Sequence, residues 1–145
     1  LCVGSVFFVH GAQKLFGLLG GAGVAGTSRL LASFGFPYST ALAIALGVGE
    51  FGGGLLLILG SLTFWVSLAL VFDMALTVWK VHYPHGFTLT GGLTPGHSAA
   101  AELHLVLIGA LICLMLGGPG ALSIDDRRTQ NAEAQARGRA RMRKV

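Results

Sequence analysis

Apolar residues in this chain run in four long blocks separated by glycine-rich or polar joints. The blocks are about 1–19 (LCVGSVFFVHGAQKLFGLL), about 38–60, about 62–80 and about 98–118. Each approaches the ~20 residues with which a helix crosses ~30 Å of hydrocarbon. None alternates with a period of two, so strands are not predicted. Helices are the membrane-compatible form because they satisfy their own backbone groups. The expected fold is all-α: an integral membrane four-helix bundle over 1–124, then a basic cytoplasmic tail over 125–145.

The joints refine this picture. Residues 20–37 read as a glycine-rich loop with a short interfacial helix at 26–34, and Pro37 marks the entrance of the second long helix. Gly60-Ser61 leaves room only for a tight hairpin between the second and third. Residues 81–97 form the longest loop, and Gly117-Gly118-Pro119-Gly120 ends the fourth helix. The tail is polar and Arg-rich, with a short amphipathic helix expected at 131–143. Residues 1–19 lack the basic flank of a signal peptide and are read as a retained helix.

Composition agrees with a membrane location. Hydrophobic residues make up 53% and charged residues 11%, against roughly 25% charged in a soluble domain. Mean hydropathy is +0.73. That excludes a water-facing globule. The first 124 residues carry three basic and three acidic side chains, while the tail carries seven basic and three acidic. Basic residues favour the cytoplasmic side, so the tail, the N-terminus and the 60–61 turn are placed there. No aromatics interleave with the tail arginines, so nucleic acid is not the expected partner; the lipid bilayer of a bacterial inner membrane is. Trp65 and Trp79 lie 14 residues apart, a rise of roughly 21 Å, and read as interface anchors at opposite ends of the third helix.

Few ionisable residues remain inside the apolar blocks: His10, Lys14, Glu50, Asp73, Glu102 and His104. With the topology above, all fall in the middle or outer half of the membrane. A lone charge there costs roughly 3 kcal/mol or more, so the six are expected to meet as one buried polar cluster. Lys14 is expected to pair with Glu102 or Asp73, and His10 to approach Glu50. Glu102 and His104 are two apart, roughly 200° around a helix, so only one of them can face a narrow site. Cys2 and Cys113 are expected to be buried as small apolar groups. Gly49 and Gly53 are expected to bring another helix close to Glu50. The spacing of His82, His85 and His97 is irregular and no metal site is read from it.

Four motifs in order resemble the DoxX family of small bacterial membrane proteins. They are VHGAQKLFG (9–17), GEFGGGLLLILG (49–60), AELHLVL (101–107) and GGPGALSIDD (117–126). The resemblance implies a four-helix membrane bundle in which His10, Lys14, Glu50 and Glu102 match motif positions. One branch of that family resembles the small subunit of thiosulfate:quinone oxidoreductase. Other members are membrane partners of sulfur-handling or antioxidant enzymes.

Three functions follow as expectations. The first is an accessory subunit of a membrane redox assembly that helps form a quinone-accessible site and holds no cofactor of its own, since no haem, flavin or iron–sulfur ligation is evident. The second is a structural subunit of a larger membrane complex, its buried charges acting as interhelical glue. The third is a small-molecule transporter, for which no inverted repeat speaks. The sequence leaves open whether the chain is catalytic. An apolar cleft ending at Glu50, Glu102 or Lys14 discriminates the first from the second.

Overall fold

The computed structural model describes residues 1–82, 100–121 and 123–142. Among these, every regular element is helical. The order is α1 (Cys2–Phe16), a 3₁₀ turn (Leu18–Gly20), α2 (Gly23–Ser33), α3 (Ser39–Leu59), α4 (Thr63–Thr77), a π turn (Val78–His82), α5 (Ala100–Gly117) and α6 (Ile124–Met142).

The third helix is the longest apolar element. Its 21 residues rise about 31 Å, enough to cross a bilayer. The α4 helix and its π turn together form a second segment of sufficient length, Thr63–Lys80. The first helix is shorter. It stops at Gly17, whose φ of 68° lets its amide return to the Gln13 carbonyl. The chain then turns by 104° into α2, which lies against α3. Ser28 Oγ shares hydrogen bonds with Ser39 Oγ at 3.1 Å and Thr40 Oγ1 at 2.8 Å, fixing α2 to the start of α3. The short interfacial helix expected at 26–34 is thus a three-turn helix beginning at Gly23.

One core joins the four long apolar helices: Phe7 of α1, Leu57 of α3, Leu70 and Met74 of α4, Leu107 and Leu111 of α5. The outer faces are apolar as well. Phe72 is 66% and Val106 68% exposed. Large side chains of this kind, repeated along helices, are suited to lipid and not to water. Trp65 and Trp79 also stand exposed, with the Lys80 ammonium 4.5 Å above the Trp79 ring. The same inversion corrects the expectation for Cys2 and Cys113. Both are free and exposed, because an apolar solvent removes the drive to bury a small apolar group.

Leu1, Gly60 and Ser123 line one small hollow, so the N-terminus, the α3–α4 corner and the start of α6 lie at the same end of the molecule. The tail is a 19-residue helix, more than the short segment expected at 131–143. Its signal was a cap and not an apolar stripe: Ser123 Oγ accepts the Asp126 amide at 3.1 Å.

Candidate functional site

The first and third helices approach closely because their facing residues are small. A Cβ on Gly11 would lie 2.2 Å from the Phe51 backbone nitrogen, and one on Gly54 2.3 Å from that of Phe8. Gly4 and Gly11 are seven apart, as are Gly47 and Gly54, so each pair marks one helix face. Glu50 sits between Gly47 and Gly54 on that face. The contact that brings the two backbones together therefore also buries Glu50, which is 1% exposed. Phe8 and Phe51 stack across the seam with centroids 4.4 Å apart. Gly49 and Gly53, expected at this contact, lie to one side of it. An added Cβ on Gly49 would have nothing within 4 Å, and one on Gly53 would look onto Val66 and Leu70 of α4.

Lys14 of α1 donates to Glu50 Oε1 at 2.5 Å. This replaces the expected pairing of Lys14 with Glu102 or Asp73, and of His10 with Glu50. The cause is helix order: α1 runs along α3 and not along α5, which puts the first lysine beside the first carboxylate. His10, one turn before Lys14, lies in electrostatic range of Lys14 and His104. Asp73 interacts with Glu50, Lys14 and His104. The structure thus gathers His10, Lys14, Glu50, Asp73 and His104 from four helices. Glu102 is half-buried and makes no ion pair among the described residues. With His104 turned to the cluster, the 200° offset carries Glu102 away from it. The side chains of His82, His85 and His97 lie outside the described residues.

Beside the cluster, α3 and α4 diverge to leave a cleft of about 550 Å³. Gly49, Gly52 and Gly53 make the space by lacking side chains, and Leu46, Val66 and Phe72 give it apolar walls. Its charged members are Glu50 and Asp73, one on each wall. The volume falls in the range of small-molecule pockets, ~300–1,000 Å³. Glu50 Oε2 is buried, and the Asp73 carboxyl faces Glu50 within hydrogen-bonding range. The geometry therefore combines a direct lysine–carboxylate joint with an apolar cleft that reaches the same carboxylate.

A second polar site was missed from the sequence. Leu62 holds a left-handed φ of 53° at the start of α4 and offers no side-chain cap. The cap comes from Asp125: its Oδ1 accepts the Leu62 amide at 3.0 Å and its Oδ2 the Thr63 amide at 2.9 Å. The Asp125 amide returns to the Gly60 carbonyl at 3.1 Å. Gly60, at φ 62°, is required twice over, since a Cβ there would also lie 2.4 Å from that of Ser123. Burial disfavours the Asp125 charge, but the Thr63 and Leu62 amides outweigh it, and Arg128 adds to them. The carboxyl is held below its ordinary range. The available signal was Ser-x-Asp directly after the Gly-Pro-Gly stop, whose partner no local pattern reveals.

Comparison with known proteins places the chain among bacterial membrane proteins. A family model described as DoxX matches residues 1–83. An uncharacterized membrane protein of Mycobacterium tuberculosis is 35% identical over 138 residues, covering 92% of this chain and 81% of its own. The inner membrane protein YphA of Escherichia coli is 28% identical over 122 residues, covering 84% of this chain and 81% of its own. No solved structure matches.

Proposed function

The chain belongs to the DoxX family, and on that premise we propose that it is an accessory subunit of a membrane redox assembly, contributing a quinone-accessible polar site without a redox cofactor of its own. It is a multi-pass protein of the bacterial cytoplasmic membrane. In this reading α1, α3, α4 and α5 cross the lipid as a four-helix bundle. The end that gathers Leu1, Gly60 and Ser123 is cytoplasmic, because the arginines of α6 emerge there. The 15-residue α1 is short for a span, and tilt of its neighbours with local thinning of the bilayer accommodates the mismatch.

The observation that carries the reading is the α3–α4 cleft, an apolar slot opening among lipid-facing helices and reaching Glu50 and Asp73. An apolar ring with a polar head fits such a slot, the ring against Leu46 and Phe72 and the head at the carboxyls. The electron-transferring group belongs to a partner protein. The test is binding of a decyl benzoquinone to the full chain in lipid nanodiscs, with Gly52→Leu as the blocked variant. Gly52 has open space beyond it, so leucine fills the slot without touching the α1–α3 seam. Binding by the wild type and its loss in a normally melting Gly52→Leu are expected. Unchanged binding in the variant excludes the cleft.

The glue reading has its own observation, the direct Lys14–Glu50 bond between α1 and α3. In that reading an acyl chain fills the slot. Gly52→Leu then leaves both quinone turnover and copurification of the native assembly intact.

A further inference from the structure

We propose that Glu50 and Asp73 hold a single proton between them, and that this acid–carboxylate pair is a proton-binding site served by the α3–α4 cleft. The inference stands apart from the quinone reading, because the proton belongs to the chain's own side chains whatever fills the slot.

Glu50 and Asp73 stand on facing walls of the cleft, and the Asp73 carboxyl faces Glu50 within hydrogen-bonding range. Two ionised carboxylates offer one another acceptors only. Held that close they repel, and one proton shared across the pair turns the repulsion into a hydrogen bond. Charge balance gives the same count. The Lys14 ammonium bonds Glu50 Oε1, and Glu50 is 1% exposed. One lysine neutralises one carboxylate. A second negative charge would stand uncompensated in a slot whose other walls are apolar. Among the described residues, His10 on α1 and His104 on α5 are the other ionisable groups in range of the cluster. A charge on His10 would meet the Lys14 ammonium. A charge on His104 would replace the shared proton, and the experiment separates the two. The cleft gives an apolar reactant access to the pair, since Gly49, Gly52 and Gly53 keep it open. The other side of α3 is closed by α1, where Gly54 meets the Phe8 backbone.

The full chain in nanodiscs is treated with dicyclohexylcarbodiimide, an apolar reagent that adds to protonated carboxyls and not to carboxylates. The label is mapped by peptide mass spectrometry. The acid carbonyl stretch is read by infrared difference spectra against Asp73→Asn, in which any contribution from Glu102 cancels. At neutral pH the wild type is expected to show the band and to take one label on the pair, on Asp73 or on Glu50 but never on both in one chain. Raising the pH should remove band and label together. Asp73→Asn keeps a donor toward Glu50 and should fold; Glu50 then answers Lys14 as a carboxylate and takes no label. Glu50→Gln leaves Asp73 as the carboxylate in range of Lys14, and its label and band are lost too. Gly52→Leu is expected to keep the band and lose the label, because it fills the route and not the pair. A label that survives on the remaining carboxyl of either variant overturns the shared proton, since an acid held by apolar surroundings alone needs no partner. A wild type with neither band nor label overturns it as well and puts the proton on His104. A wild type with the band and no label overturns the cleft as the route, and so does full labelling of a normally melting Gly52→Leu.

Discussion

Lys14 and Glu50 form an asymmetric pair: their N–O distance is 2.5 Å, yet the lysine side chain is 30% exposed and the carboxylate 1%. The lysine reaches in along its own methylenes, while the carboxylate is held where two glycine-lined helix faces meet. Loss of either partner is therefore unequal. Lys14→Met strands a buried carboxylate and is expected to cost about 3–5 kcal/mol, the range for breaking a buried pair by removing one side. Adding Glu50→Gln to Lys14→Met should return most of that loss. Thermal unfolding in detergent of the two single variants and the double reads the coupling.

The glycines of α3 divide by face. Gly54→Ala drives a Cβ into the Phe8 backbone, and no rotamer relieves a clash with main chain. Gly11→Ala does the same at Phe51. Both are expected to abolish folded protein in detergent. Gly49→Ala meets open space and should be neutral or gain up to about 1 kcal/mol from helix propensity. Equal damage at Gly49 and Gly54 would contradict the helix order given above.

The Asp125 clamp makes a pH-dependent contribution whose sign is fixed. Its carboxyl is held below the ordinary value of 3.8. The unfolded chain thus takes up a proton first as pH falls, and the clamp's stabilisation is complete above 3.8 and lost as pH drops through the lower folded value. Asp125→Ala removes the cap and should cost about 0.5–2 kcal/mol at neutral pH. The gap in melting temperature between wild type and variant should stay constant at neutral pH and close under acid.

Leu62 offers the converse case. A non-glycine residue in the left-handed region stores about 1–3 kcal/mol. Leu62→Gly keeps the amide that Asp125 accepts and relieves the backbone, so it should raise the melting temperature. A drop would mean that the exposed Leu62 side chain contributes more through lipid contact than the strain costs.

Much of this was readable in advance because hydropathy runs and breakers are local. The α3 helix fills 39–59 of the block read as 38–60, and the hairpin turns at Gly60-Ser61. The collection of Lys14, Glu50, Asp73, His10 and His104 in one region followed from depth alone, since lipid forces buried charges to find one another. Which partner each takes did not follow. Lys14 meets Glu50 because α1 lies on α3, and neighbour order among helices leaves no mark on a one-dimensional pattern. The glycine faces were misjudged for a related reason. The glycine density of GVGEFGGG (47–54) hides which of Gly47, Gly49, Gly53 and Gly54 faces which neighbour until α1 is placed. The Asp125 clamp was out of reach because its two halves are 62 and 63 residues apart.

That separation has a consequence for biogenesis. The corner between α3 and α4 leaves the ribosome long before the aspartate that latches it has been translated. At ~5–20 residues per second the delay is about 3–13 s. Through that interval the α3–α4 hairpin exists with its bend unlatched. Nascent chains released before residue 125 lack the bolt that closes this bend.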